Sequence, residues 1–299
     1  MSYKHLLFGL FLFIGAVSTA QDQGEFTQLF DKDGEKVEFD ALIDDIQDAQ
    51  IILFGELHGV AATHNMEQKL AQKLFETRGD RLILGGEMWE FDQQIIVNEY
   101  VSGLITDKQF INDGRLWPNF SRDYQAFIDV ARNNNLPFVA TNIPRRYASV
   151  VYYEGPDKLL EFEKATQKLL PKLPFTFDED LPIYAEIADQ VGGHGTKYLA
   201  AAQAIKDATM AMYILNNTKK KNTFLHIHGE YHSKEFQGIY NYIAQEKSKW
   251  KVVSISCVMQ KDIEKLEDDN LSRANYIFAV KEQPEKADND SVEEHNPHK

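Results

Sequence analysis

The sequence predicts an α/β fold: a mainly parallel β-sheet flanked by helices, with a helical insertion over the C-terminal edge of the strands. Three observations predict it. Short apolar runs of strand length alternate with longer segments of helical periodicity, the order that builds parallel βαβ units. Most of these runs are continuously apolar rather than alternating, as strands covered on both faces require. A chain of 299 residues, 43% apolar and 26% charged, can also bury a sizeable core.

The chain opens with "MSYKHLLFGLFLFIGAVSTAQ", which carries Lys4, an apolar stretch from Leu6 to Val17, and Ser18-Thr19-Ala20 as a small-x-small cleavage site. Residues 1–20 therefore read as a secretory signal peptide, against the competing reading of an uncleaved anchor. The protein is expected to be exported, periplasmic or in the cell envelope, with a mature start near Gln21. No cysteine follows the cleavage site, so nothing marks a lipoprotein. The single cysteine, Cys257, cannot close an intrachain disulfide and suits core packing. A net charge of −14 argues against a nucleic-acid partner or an anionic membrane surface.

Strand-like runs follow at 51–55 (IILFG), 82–86 (LILGG), 136–141 (LPFVAT), 223–228 (TFLHIH), 251–257 (KVVSISC) and 275–280 (NYIFAV). Between them, 63–77 repeats Met66, Leu70 and Leu74 every four residues, and 122–132 and 196–216 carry helix-forming stripes. Residues 150–195, with Pro156, Pro171, Pro174, Pro182 and "VGGHG", break the rhythm. They read as an insertion or lid; the competing reading is a peripheral helical subdomain. Residues 21–280 are expected to form one domain. The tail 281–299 is acidic, nearly devoid of apolar residues and expected to be disordered, leaving His295 and His298 inert.

In an open parallel sheet, ligands bind at the carboxyl ends of the strands. The residues following each run are therefore informative. Glu56 and His58 follow the first, Glu87, Glu90 and Asp92 the second, Asn142, Arg145, Arg146 and Tyr147 the third, and His228, Glu230 and His232 the fourth. Gly-Glu-x-His occurs twice, at 55–58 and 229–232, each time directly after a strand run. Its glycine permits a sharp exit or a close approach, and its glutamate and histidine suit metal ligation or general-base work. For each of these side chains the competing role is structural: a capping carboxylate at Glu56 or Glu87, a solvated one at Glu230, a helix-capping His64, an ion pair for the arginines, a core tyrosine at Tyr147. His226 and His228 share a strand face, and His226 reads as a hydrogen-bonded core residue.

In this order, "ILFGELHGVAATHNMEQKLAQKL", "GGEMWEFDQQ", "LPFVATNIPRRYAS", "AAQAIKDATMA" and "HGEYH" resemble the ChaN-like family of haem-binding uptake proteins, within the Tiki superfamily that also holds erythromycin esterase-like and Tiki proteins. The resemblance spans about residues 45–245. It implies two chemistries. One is haem binding outside the cytoplasm, with a tyrosine iron ligand, a homodimer enclosing the haems and an outer-membrane haem transport system as partner. Tyr147 is then the ligand candidate, Arg145 and Arg146 would hold propionates, and His64, His194 and His228 are further contacts, with Trp89, Phe91, Trp117 and Phe120 as slot walls. The other is metal-dependent hydrolysis of esterase or peptidase type. There His58, Glu87 and His232 would hold a divalent ion such as Mn, Zn or Co, and Glu56 would activate its water.

Overall fold

The computed structural model describes residues 26–190 and 198–282; the leader, His194 and the tail beyond 282 lie outside the described residues. Seven strands form one sheet: β1 (Thr27–Asp31), β2 (Ile51–Glu56), β3 (Leu82–Glu90), β4 (Phe138–Asn142), β5 (Thr223–Gly229), β6 (Val252–Gln260) and β7 (Tyr276–Lys281). Their order is β1-β7-β6-β2-β5-β3-β4. Every pairing is parallel except β1 against β7. The expected α/β fold with a mainly parallel sheet is what the chain adopts. β1 is the one strand without a counterpart among the predicted runs. Its sequence, TQLFD, buries only Leu29 and Phe30, too short an apolar signal to stand out.

Alternation along each strand decides which helical layer a side chain meets. Ile52, Phe54, Leu84, Leu225 and Ile227 pack on a first layer that includes helices Ala61–Arg78 and Gln125–Asn134, through Leu70, Leu74, Phe127 and Ile128. Ile51, Leu53, Ile83 and Phe224 pack on a second layer, helices Leu199–Asn217 and Ile239–Glu246, through Met210, Ile214 and Ile243. Each fully buried side chain of this size stabilises by about 1.5–3 kcal/mol.

Residues of the expected insertion build a further apolar cluster, in which Leu159, Phe175, Ile183 and Tyr184 pack with Ala201, Ala204 and Ile205. Helix Pro182–Gln190 reaches the carboxyl edge of the sheet. There the Ile183 N–H donates to Gln237 Oε1 (2.8 Å) and the Tyr184 hydroxyl to Asp207 Oδ2 (3.1 Å).

Candidate functional site

β2 and β5 are neighbours, so the two Gly-Glu-x-His segments leave the sheet side by side. They are staggered by one residue: Gly55 lies opposite His228 and Glu56 opposite Gly229. Their glutamates therefore part company. Glu56 turns to the first helical layer, where it accepts from the Tyr124 hydroxyl (2.8 Å) and lies 2.5 Å from His58 Nδ1. Glu230 is buried on the other side, accepting from Ser256 Oγ (2.9 Å) and Arg273 Nε (2.6 Å).

Three of the predicted residues meet over Gly229. The His58 side chain is 46% exposed, with Trp117 edge-on to its ring at 5.2 Å. A Cβ added at Gly229 would lie 2.7 Å from His58 Nε2 and 3.5 Å from Glu87 Oε2. Gly229 has φ −57°, open to any residue, so the glycine is needed for space rather than for backbone freedom. Glu87 accepts the Gly229 N–H at Oε2 (2.8 Å) and sets Oε1 3.1 Å from His232 Nε2. On its other side, His232 Nδ1 pairs with buried Asp207, beside the Gln203 amide. Both imidazoles thus carry a buried carboxylate at Nδ1 and present Nε2 toward Glu87.

The charges follow from this packing. Burial pushes His232 down, but the Glu87 and Asp207 carboxylates outweigh it and raise its pKa to about 10. Burial opposes ionisation of Glu87, yet His232, His58 and the Gly229 N–H hold it well below the usual carboxylate range. For His58, burial is outweighed by the Glu56 hydrogen bond and the charges of Glu87 and Glu56, and its pKa rises.

Behind His58 lies a second network. His64 Nδ1 is 3.0 Å from Glu56 Oε2 and 3.2 Å from Glu67 Oε2, and its Nε2 accepts from the Gly59 N–H (3.2 Å). Burial and the adjacent Glu56 charge raise Glu67 well above its usual value. Among the described residues, Glu56, His64 and Glu67 are the group of three whose ligand atoms all lie within 4.8 Å of one another. Glu56 faces this network rather than the open cleft, so toward the cleft it can act only by orienting and charging His58.

His228 lies beneath the cleft floor, fully buried. The Thr141 hydroxyl donates to the Gly86 carbonyl (3.0 Å) and therefore accepts from His226 Nε2 (2.7 Å). His226 Nδ1 then accepts from His228 Nδ1 (3.0 Å), and His228 Nε2 accepts from Ser233 (2.7 Å). Every member has a partner only if both rings are neutral. Burial lowers both in agreement, His228 to about 3.

The β3–β4 end carries the remaining residues. Arg115 pairs with Glu90 and Asp92, and Arg146 Nη1 donates to Asp92 (2.7 Å). Arg146 Nη2 also donates to the Tyr147 hydroxyl (3.1 Å), with its guanidinium over that ring. The Arg145 N–H donates to Glu90 Oε1 (2.9 Å). Tyr147 itself is 8% exposed, packed against Phe162. Of the four aromatic residues considered as slot walls, Trp89, Phe91 and Phe120 are buried, and Trp117 alone stands at the cleft beside His58.

Asp207, Tyr124 and Glu67 escaped the sequence reading, because each sits on or beside a helix with no local motif. The available signal was a polar residue continuing a buried stripe: Thr63, His64 and Glu67 precede Leu70, and Asp207 lies among Ala204, Ala208 and Ala211.

The family described as haem-binding uptake, Tiki superfamily, ChaN matches residues 42–243. No curated protein matches the chain. Among solved structures, that of cofacial heme binding to ChaN of Campylobacter jejuni is similar, with TM-score 0.67 at 17% identity, over 86% of this chain and 98% of that one. A Bacillus cereus protein has TM-score 0.46 at 13% identity, over 82% of this chain and 92% of that one. An erythromycin esterase mutant in its open conformation has TM-score 0.46 at 13% identity, over 85% and 82%.

Proposed function

Because the chain belongs to the ChaN family of haem-binding uptake proteins in the Tiki superfamily, we propose that it binds haem at the carboxyl edge of its sheet and serves haem uptake outside the cytoplasm. The observation that carries this reading is the family match, which over residues 42–243 takes in Glu56, His58, Glu87, Tyr147 and His232. On this proposal haem would sit at the β3–β4 end, where buried Tyr147 would have to be uncovered to reach the iron. The Tyr147 oxygen lies beside the fixed charge of Arg146, which suits an oxygen ligand to ferric iron. Arg146 and Arg115, each about half exposed, can exchange Glu90 and Asp92 for propionates. Haem would supply the iron cargo, and the chain's own part is to bind and orient it. Export after cleavage near Gln21, a haem-linked homodimer and delivery to an outer-membrane haem transport system belong to the same proposal.

The test is a haemin titration of residues 21–299, following the Soret band against an albumin control. A saturable, stoichiometric shift that Tyr147→Phe weakens, while His232→Ala leaves haem partly bound, supports the proposal. A weak, non-saturating change sinks it.

A second reading, a metal-dependent hydrolase, is favoured by one observation: His58 and His232 each have Nδ1 on a buried carboxylate and Nε2 toward Glu87. Histidines that hold catalytic metals are oriented in this way. Here His58, Glu87 and His232, whose ligand atoms do not all lie within 4.8 Å of one another, would have to draw together to hold a divalent ion, and the ion would lower the pKa of a bound water. On this reading, Glu87→Ala or His58→Ala removes both metal retention and ester or peptide turnover. Full turnover in either variant ends it.

A further inference from the structure

The network behind His58 contains more negative charge than its protein partners offset. Glu56, Glu67 and Asp123 are all buried, at 1%, 0% and 4% exposure. Asp123 is satisfied by Arg122 and Asn119, and one oxygen of Glu56 by Tyr124 and His58. That leaves Glu67 without a countercharge beyond a share in His64. Glu67 Oε1 is a buried oxygen without a hydrogen-bond partner, and Glu56 Oε2 has only the shared His64 ring 3.0 Å away. A buried carboxylate in that condition is sustained only by a proton or a cation.

The geometry has room for the cation. His64 and Glu67 stand three residues apart on one face of helix Ala61–Arg78, and Glu56 ends β2 opposite them. The separations of 3.0 and 3.2 Å between His64 Nδ1 and the two carboxylates match the edges of a coordination shell with bonds of about 2.1 Å. We propose that Glu56, His64 and Glu67 form a buried divalent-cation site behind the cleft, taking a borderline ion such as Mn²⁺, Co²⁺ or Zn²⁺. One imidazole and two carboxylates are the donor mixture such ions accept. This site is separate from the ion that the hydrolase reading would place at His58, Glu87 and His232. It does not depend on haem binding.

Entry of the ion displaces any proton on Glu67. It also moves the His64 proton from Nδ1 to Nε2, which faces Asp123 Oδ2 at 3.8 Å, and the Gly59 N–H has to give up Nε2 as acceptor. With Glu56 shared, the ion would fix the carboxylate that orients His58.

The experiment is a Co²⁺ titration of metal-stripped residues 21–299, read by the visible d–d absorption, on the wild type, Glu67→Gln and Glu87→Gln. Glu67→Gln is isosteric with the protonated acid, so folding is preserved and circular dichroism verifies it. The expected result is one Co²⁺ per chain, retained in Glu87→Gln and weakened more than about a hundredfold in Glu67→Gln. Two results overturn the proposal. Absence of saturable Co²⁺ binding would mean that a proton occupies the gap. Binding kept in Glu67→Gln but lost in Glu87→Gln would put the ion in the cleft.

Discussion

His232 lies between two buried carboxylates, Glu87 held low by its partners and Asp207 pushed up by burial, and these surroundings set the terms on which it titrates. Its pKa of about 10 lies above the ordinary 6.5, so the stability it contributes is fully present below pH 6.5 and is lost as pH rises through about 10. Glu87 is depressed, so its share is present above about 4.5 and is lost in acid. Denaturant midpoints at pH 6.5 and pH 10 should fall in that order; equal midpoints would refute the clamp. Asp207→Asn removes one of the two anions, and the His232 ring should then titrate at lower pH when followed by NMR. His232→Ala leaves Glu87 and Asp207 facing each other unpaired, a loss of about 3–5 kcal/mol. A loss below about 1 kcal/mol would mean that the pair is relieved by solvent.

Inside β3 and at the end of β5, glycines serve different purposes, and substitutions should separate them. A Cβ at Gly85 would meet the Val139 carbonyl at 2.6 Å and the Phe224 ring at 2.8 Å, neither free to move. Gly85→Ala should therefore cost about 1–3 kcal/mol in chemical denaturation. A Cβ at Gly229 would crowd only the far end of a half-exposed imidazole, with Glu87 Oε2 at an ordinary contact distance of 3.5 Å. Gly229→Ala should leave the denaturation midpoint almost unchanged while swinging His58 away from Glu87, visible as a lowered His58 pKa by NMR. An unmoved His58 would show that the two do not share that space. Within β5 the neutral relay predicts that Thr141→Val, which strips His226 Nε2 of its acceptor, destabilises by about 1–3 kcal/mol. These elements were partly readable beforehand. "TFLHIHGEYH" announced a buried strand with a polar exit, because apolar continuity and a terminal glycine are local properties. That His226 and His228 face inward to Thr141 and Ser233, while His232 faces Glu87, depends on register with β3 and on the second helical layer. No window of sequence contains those.

Across the whole molecule the same division holds. Six strands and their order of appearance followed from apolar runs, and the placing of His58, Glu87 and His232 near one strand end followed from where parallel strands stop, whereas Glu56 turns into the helical layer behind. The supporting residues, Tyr124, Glu67 and Asp207, lie on or beside helices brought in from distant parts of the chain, so only the assembled sheet reveals them. The one-residue stagger between the motifs sends support for His58 into one helical layer and support for His232 into the other. The cleft is thus a seam between two half-proteins, each steering its own imidazole. Injuries to the two halves should not feel one another: the stability losses of Glu67→Gln and Asp207→Asn should add to within about 0.3–0.5 kcal/mol in a double-mutant cycle. Whatever the two imidazoles grasp together would then be the one thing that makes these layers answer to each other, and a bound ligand should turn that additivity into coupling.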